Sequence, residues 1–156
     1  MCTVAFEKSG ARPRGLWWDA ATALVALVGL TDAAYLTVEH MTGRSVRCMI
    51  VSGCDEVLQS SYATLAAGIP VAAVGALAYF AVFSLATLSA YGYAGARRLL
   101  APLVAVMFLA TLWFFYLQAF VLHAFCAYCL LSAAITTTLT LLVLARRFFG
   151  PKNRLS

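Results

Sequence analysis

Four long apolar runs set the terms for this chain: Leu16–Val38, Ile69–Ser89, Leu99–Val121 and Cys126–Ala145, of 23, 21, 23 and 20 residues. At about 1.5 Å rise per residue, each reaches roughly 30–35 Å as a helix, the hydrocarbon thickness of a bilayer. None alternates apolar and polar residues, as the strands of a membrane barrel must. The expected fold is all-α and integral to the membrane, a four-transmembrane-helix bundle. Composition agrees: 63% of the 156 residues are hydrophobic and 11% charged, too few polar side chains to cover a water-soluble domain of this size. Most soluble enzymes and disordered tails are excluded on that ground, and the length allows one domain. The expected organisation is a tail over 1–15, a membrane domain over 16–147 and a tail over 148–156. Pro70 and Pro102 are expected in the first turns of the second and third helices, where proline is tolerated, with Pro151 after the fourth.

The basic residues orient the bundle. Lys8, Arg12 and Arg14 precede the first run, Arg97 and Arg98 read as the second loop, and Arg146, Arg147, Lys152 and Arg154 form the C-terminal tail. The first loop, Glu39–Gly68, holds only Arg44 and Arg47, and the third, Leu122–Phe125, holds none. Nine of eleven cations thus fall on one side, which the positive-inside rule makes cytoplasmic. Both termini are expected inside, with loops one and three outside and a short helix in the long first loop. The net charge of +5 reads as topology, since no clustered basic face with interleaved aromatics offers a nucleic-acid site. A secretory signal peptide is the competing reading of the first run. Against it, the run continues past Asp32 to Val38, and Trp17 and Trp18 stand where interface anchors would.

Orientation makes the cysteines informative. Cys48 and Cys54 fall in the first outside loop, Cys126 and Cys129 at the third loop and the start of the fourth helix, and Cys2 alone is cytoplasmic. Four thiols therefore face the compartment where disulfides persist. Cys126-Ala127-Tyr128-Cys129 at a helix N-terminus puts two sulfurs on one face, where unpaired N–H groups and the helix dipole favour a thiolate at the first. Cys129, one turn deeper, is expected to face the bundle interior, a depth suited to a lipid-soluble electron acceptor. Cys48 and Cys54 sit in a loop that can meet a soluble partner, followed by Asp55-Glu56-Val57-Leu58 as the start of a short helix. Two plainer readings stand beside a relay. Four cysteines could bind structural zinc, although the Cys-x5-Cys half is loose for that. They could also form permanent disulfides, although a Cys-x-x-Cys bridge closes too small a loop to stabilise much.

Other residues invite a role and a plainer account together. Asp32 is an intramembrane acid that could move protons, or could be hydrogen-bonded to a neighbouring helix; as a lone buried acid it would also be the only substrate-pathway residue of a small transporter, which would not need the cysteines. His123 could act on Cys126 or be an interfacial histidine. Trp113-Phe114-Phe115-Tyr116, with Phe120 and Phe125, could wall a ring-shaped ligand or face lipid. Thr136, Thr137, Thr138 and Thr140 are expected to bond back to their own backbone.

With these residues assembled, the chain resembles the vitamin K epoxide reductase family, in particular its bacterial thiol-oxidising homologues. The resemblance runs from Ala34-Tyr35-Leu36-Thr37 through Cys48-x5-Cys54, Val57-Leu58, Ser60-Ser61-Tyr62-Ala63, Gly68-Ile69-Pro70, Gly75 and Tyr79 to Cys126-Ala-Tyr-Cys129. It implies a four-helix bundle around a quinone in a bacterial cytoplasmic (inner) membrane, with the site facing the periplasm or exterior. A separate thioredoxin-like protein would deliver electrons to Cys48 and Cys54, and Cys54 would attack Cys126. Cys129 would lie nearest the quinone ring, and Ser60 in the loop helix that covers it. Vertebrate members carry a tyrosine four residues after the last cysteine, where this chain has Ala133, and an asparagine before the second helix's glycine, where it has only Pro70 to Val74. The expectation is therefore ubiquinone or menaquinone, with vitamin K or its epoxide as the alternative substrate.

Overall fold

A computed structural model describes residues 15–43, 62–64 and 68–149. Its four long helices are α1 (Leu16–Thr42), α2 (Val71–Ala90), α3 (Ala94–Tyr116) and α4 (Ala127–Phe149), and α3 runs on through a π-helical turn, Leu117–Val121. Each is long and apolar enough to cross a membrane, and among the described residues no strand forms. The chain is a multi-pass, all-α membrane protein.

The helices exceed their apolar runs, because a helix is bounded by hydrogen-bonding partners and not by hydropathy. α1 continues four residues past Val38 and stops at Gly43, whose N–H bonds the His40 carbonyl. α3 starts at Ala94, so Arg97 and Arg98 belong to its exposed first turns and not to a loop. Pro102 consequently lies inside α3 and not in its first turn, and it withholds one backbone N–H from the helix ladder. Pro70 is the N-cap of α2, with Val71 N–H bonded to the Ala63 carbonyl at 2.9 Å. Only Tyr91–Tyr93 joins α2 to α3, with Gly92 at φ 95°, and so short a connection makes the two helices antiparallel neighbours.

The helices pack as a ring: α1 against α2 and α4, and α3 against α2 and α4. The buried centre holds Ala26, Tyr79, Val82, Val104, Ile135 and Leu139. Gly29 lets α1 and α2 close together, since a Cβ there would fall 2.4 Å from the Tyr79 ring. The outward faces carry large apolar side chains such as Leu77, Phe80, Leu109 and Leu141. Such a surface belongs in lipid, where it needs no further cover.

The two ends of the ring differ in chemistry. At the end holding Gly15 and Phe149, the fully buried Asp19 of α1 pairs with Arg146 of α4, and Arg146 Nη1 also donates to Ser89 Oγ of α2 at 3.2 Å. Three helices meet at one guanidinium, so Arg146 is a half-buried clamp within α4 and not a free tail cation. The opposite end, where α1 and the π turn finish and α2 and α4 begin, holds the cysteines.

Candidate functional site

Cys126 occupies the position just before α4. Its carbonyl accepts the Leu130 N–H at 3.0 Å, as an N-cap carbonyl does. Its own N–H donates to Gln118 Oε1 at 3.1 Å. The chain arrives there through the π turn, closed by Leu122 N–H to the Leu117 carbonyl at 2.8 Å, and through His123 in the left-handed region at φ 50°. Wide turns of this kind recur at functional sites because they re-aim the residues after them. Gln118, 4% exposed, is thus the strut that holds Cys126 in place. Sequence reasoning passed over it, although it is the one side-chain amide in the third run, and an amide at membrane depth is a signal in its own right.

Cys126 and Cys129 are free thiols brought together at this helix start. Cys126 is fully buried against Leu36 of α1. Its sulfur accepts the thiol hydrogen of Cys129 and the backbone N–H groups of Tyr128 and Cys129. The Cys129 hydrogen bond is the largest influence and pulls the Cys126 thiol below the ordinary range; burial and the Asp32 charge push the other way and lose. The thiolate expected from the sequence at the first cysteine has its cause here, in donors gathered at a helix N-terminus.

Cys129 turns inward, as expected, onto a cavity of about 330 Å³ lined by all four helices. The size is that of a small-ligand site. Its walls are mostly apolar, with Leu36, Val74, Leu103, Met107 and Phe114 among them. The polar groups among the described residues are few: Asp32 and His40 from α1, Tyr62 before α2, Tyr79 from α2, Thr111 from α3, Gln118 from the π turn, and Ser132 and Thr136 from α4. The Tyr79 hydroxyl lies 2.8 Å from both Ser132 Oγ and Thr136 Oγ1 and donates to or shares with them across the α2–α4 seam.

The remaining expectations divide. Thr136, Thr137, Thr138 and Thr140 all bond back to the carbonyl four residues before, as expected, and Thr136 additionally meets Tyr79. Of the aromatic cluster, Phe114 and Phe115 line the cavity, whereas Trp113, Tyr116 and Phe120 form an outward ladder with ring centroids 6.0 and 5.1 Å apart. His123 is exposed and makes no hydrogen bond to Cys126. His40, unremarked in the sequence, lines the cavity instead. Cys2, Cys48, Cys54 and Ser60 lie outside the described residues. A sequence model of the vitamin K epoxide reductase family matches residues 20–144, most of the chain and all four helices.

Proposed function

The chain belongs to the vitamin K epoxide reductase family, whose members are oxidoreductases, and on that premise we propose that it is a membrane thiol oxidase. It takes electrons from a separate thioredoxin-like protein and passes them to a quinone, generating disulfides in the partner. The observation that carries this reading is the pairing of two free thiols at the start of α4 with a membrane-depth cavity that one of them lines. An apolar cavity of this size accepts a flat ring from the bilayer, and the Gln118 amide offers a donor to one of its carbonyl oxygens. A quinone bound there supplies a two-electron, two-proton sink.

The proposed exchange runs through four sulfurs. The partner dithiol reduces a Cys48–Cys54 disulfide and becomes oxidised. The Cys54 thiolate then attacks Cys126 of a Cys126–Cys129 disulfide, and Cys129 leaves. Cys48 next attacks Cys54, which releases Cys126, and Cys126 and Cys129 stand as a dithiol beside the cavity. The depressed thiol at Cys126 suits the last of these steps, in which Cys48 attacks Cys54 and Cys126 is the leaving group, since a thiol of lower pKa leaves faster. Ser60 is proposed to lie over the quinone from the loop side. Ubiquinone or menaquinone fits the apolar wall at Ala133, Val71 and Val74, which has no hydroxyl or amide where vertebrate members are polar. The proposed site faces the exterior of a bacterial cytoplasmic membrane.

Trapping the intermediate tests the relay. In Cys129→Ala, a disulfide between the two loops accumulates and maps by peptide analysis to Cys54–Cys126. Recovery of only Cys48–Cys54 peptides rejects the relay. Turnover of a reduced partner stops when quinone is withdrawn from the membranes, and unchanged turnover leaves permanent structural disulfides as the account of the cysteines.

A further inference from the structure

Asp32 is 8% exposed, it lines the same cavity as Cys129, and its Oδ2 has no hydrogen-bond partner among the described residues. Buried polar atoms in folded proteins are almost always bonded, and each exception asks for a reason. The neighbouring helices provide no structural one: none of their described side chains bonds this oxygen. An ionisable group at membrane depth, open to a cavity and bonded at Oδ2 by no described residue, is placed for transfer and not for fastening.

The surroundings narrow the transfer to one route. Asp32, Leu36 and His40 follow one another at four-residue steps and all line the cavity, and Leu36 packs on Cys126. Among the described residues, the titratable groups that face this space are His40 from α1, Tyr79 from α2, Cys129 from α4 with Cys126 beyond Leu36, and Tyr62 at the rim. α3 and the π turn contribute only neutral groups such as Thr111 and Gln118, and among the described residues no Lys or Arg lines the cavity. Tyr79 is committed to Ser132 and Thr136. His40 stands about 12 Å along α1 from Asp32. The carboxyl is also close enough for its charge to act on the Cys126 thiol.

We propose that Asp32 is the proton-transfer group of this cavity, taking the proton of Cys129 and returning it to an oxygen of the quinone. The inference rests on the thiol oxidase reading above. As the Cys126–Cys129 bond forms, two electrons and two protons leave the dithiol, and both pairs arrive on the quinone, which becomes the quinol. Asp32 carries one of those protons and ends each cycle as it began, so no further oxidant or acid is consumed. A half-buried thiol on a mostly apolar wall has few groups to take its proton, and Asp32 is the carboxyl that lines the same cavity.

The test uses the full chain in lipid nanodiscs, reduced beforehand and mixed with a short-tailed ubiquinone. Asp32→Asn keeps the shape of the side chain and cannot exchange the proton. It is expected to slow quinol formation about 100-fold or more, the usual scale of general acid–base catalysis, with Asp32→Glu recovering most of the rate. Time-resolved infrared spectra of wild-type protein after mixing with the quinone, with aspartate carboxyls isotopically labelled, are expected to show a transient aspartate band that Asp32→Asn removes. An Asn variant within threefold of wild type overturns the proposal. So does the absence of an aspartate band in labelled wild type, a measurement that stands even where the variant fails to fold. A wild-type chain that leaves every quinone oxidised overturns the thiol oxidase reading itself, and is a different result from a fast Asn variant.

Discussion

Asp19 and Asp32 lie on the same helix, about 20 Å apart along its axis, and both are buried. Asp19 meets Arg146, which in turn reaches Ser89, so one charge pair ties α1, α2 and α4 at one end of the ring. Asp32 meets a cavity and leaves an oxygen unbonded among the described residues. The same residue type, on the same element, fastens the bundle at one end and stands ready for chemistry at the other. What separates the two roles is a cation three residues before the end of the last helix.

The largest expected effect breaks the fastened end. Arg146→Ala leaves Asp19 as a buried charge without its partner and is expected to cost about 3–5 kcal/mol, read from unfolding in a fixed detergent. A loss below about 1 kcal/mol would show that the pair is not the clamp described. The open end is expected to respond with the opposite sign. Asp32→Leu removes an unpaired oxygen from an apolar setting and stabilises the fold by about 1–3 kcal/mol, while quinone reduction is lost. A destabilised Leu variant points to a structural partner for Asp32 and ends the contrast. Such a trade of stability for activity is usual where a site needs an awkwardly placed group.

Smaller effects come from the neutral strut at the cysteine end. Gln118→Leu strands the Cys126 N–H and is expected to cost about 1 kcal/mol, with faster hydrogen exchange at that amide as the direct sign. The pH response of Cys126 has a definite direction. Its thiol is depressed chiefly by the Cys129 hydrogen bond, so the reactive thiolate persists as pH falls below the ordinary thiol range and is protonated only at lower pH. Reaction with a small disulfide reagent is therefore expected to stay fast in that interval. Cys129→Ala, which removes that donor, moves the fall in rate to higher pH. An unmoved profile assigns the depression to the helix N–H groups alone.

The four spans were legible in the sequence because each is a long uninterrupted apolar run, and hydropathy alone identifies them. Their ends were not. Arg97 and Arg98 read as loop because they are charged, yet a helix continues wherever its N–H and C=O groups find partners, and so α3 began five residues earlier and took Pro102 into its interior. Cys126 and Cys129 were legible from their spacing and their place after an apolar run. The polar lining was legible only as single residues. Tyr79 meets Ser132 and Thr136 across 53 and 57 residues of chain, and Gln118 meets Cys126 only because a turn widens to π geometry. Asp32 announced itself as an intramembrane acid. Whether a neighbour would bond it depended on the rotation of three other helices, which no local pattern encodes.

The depth of the cavity is governed by a hydrogen atom. Residue 29 has no Cβ, and the Tyr79 ring fills the space one would occupy. A methyl group there would have to lift the ring away from α1, and the hydroxyl at its tip would leave Ser132 and Thr136. One added carbon would thus loosen the contact of α1 with α2, unfasten α2 from α4 and raise the floor beneath any bound ring. The smallest residue in the bundle sets the position of three helices, and its emptiness is a dimension of the site.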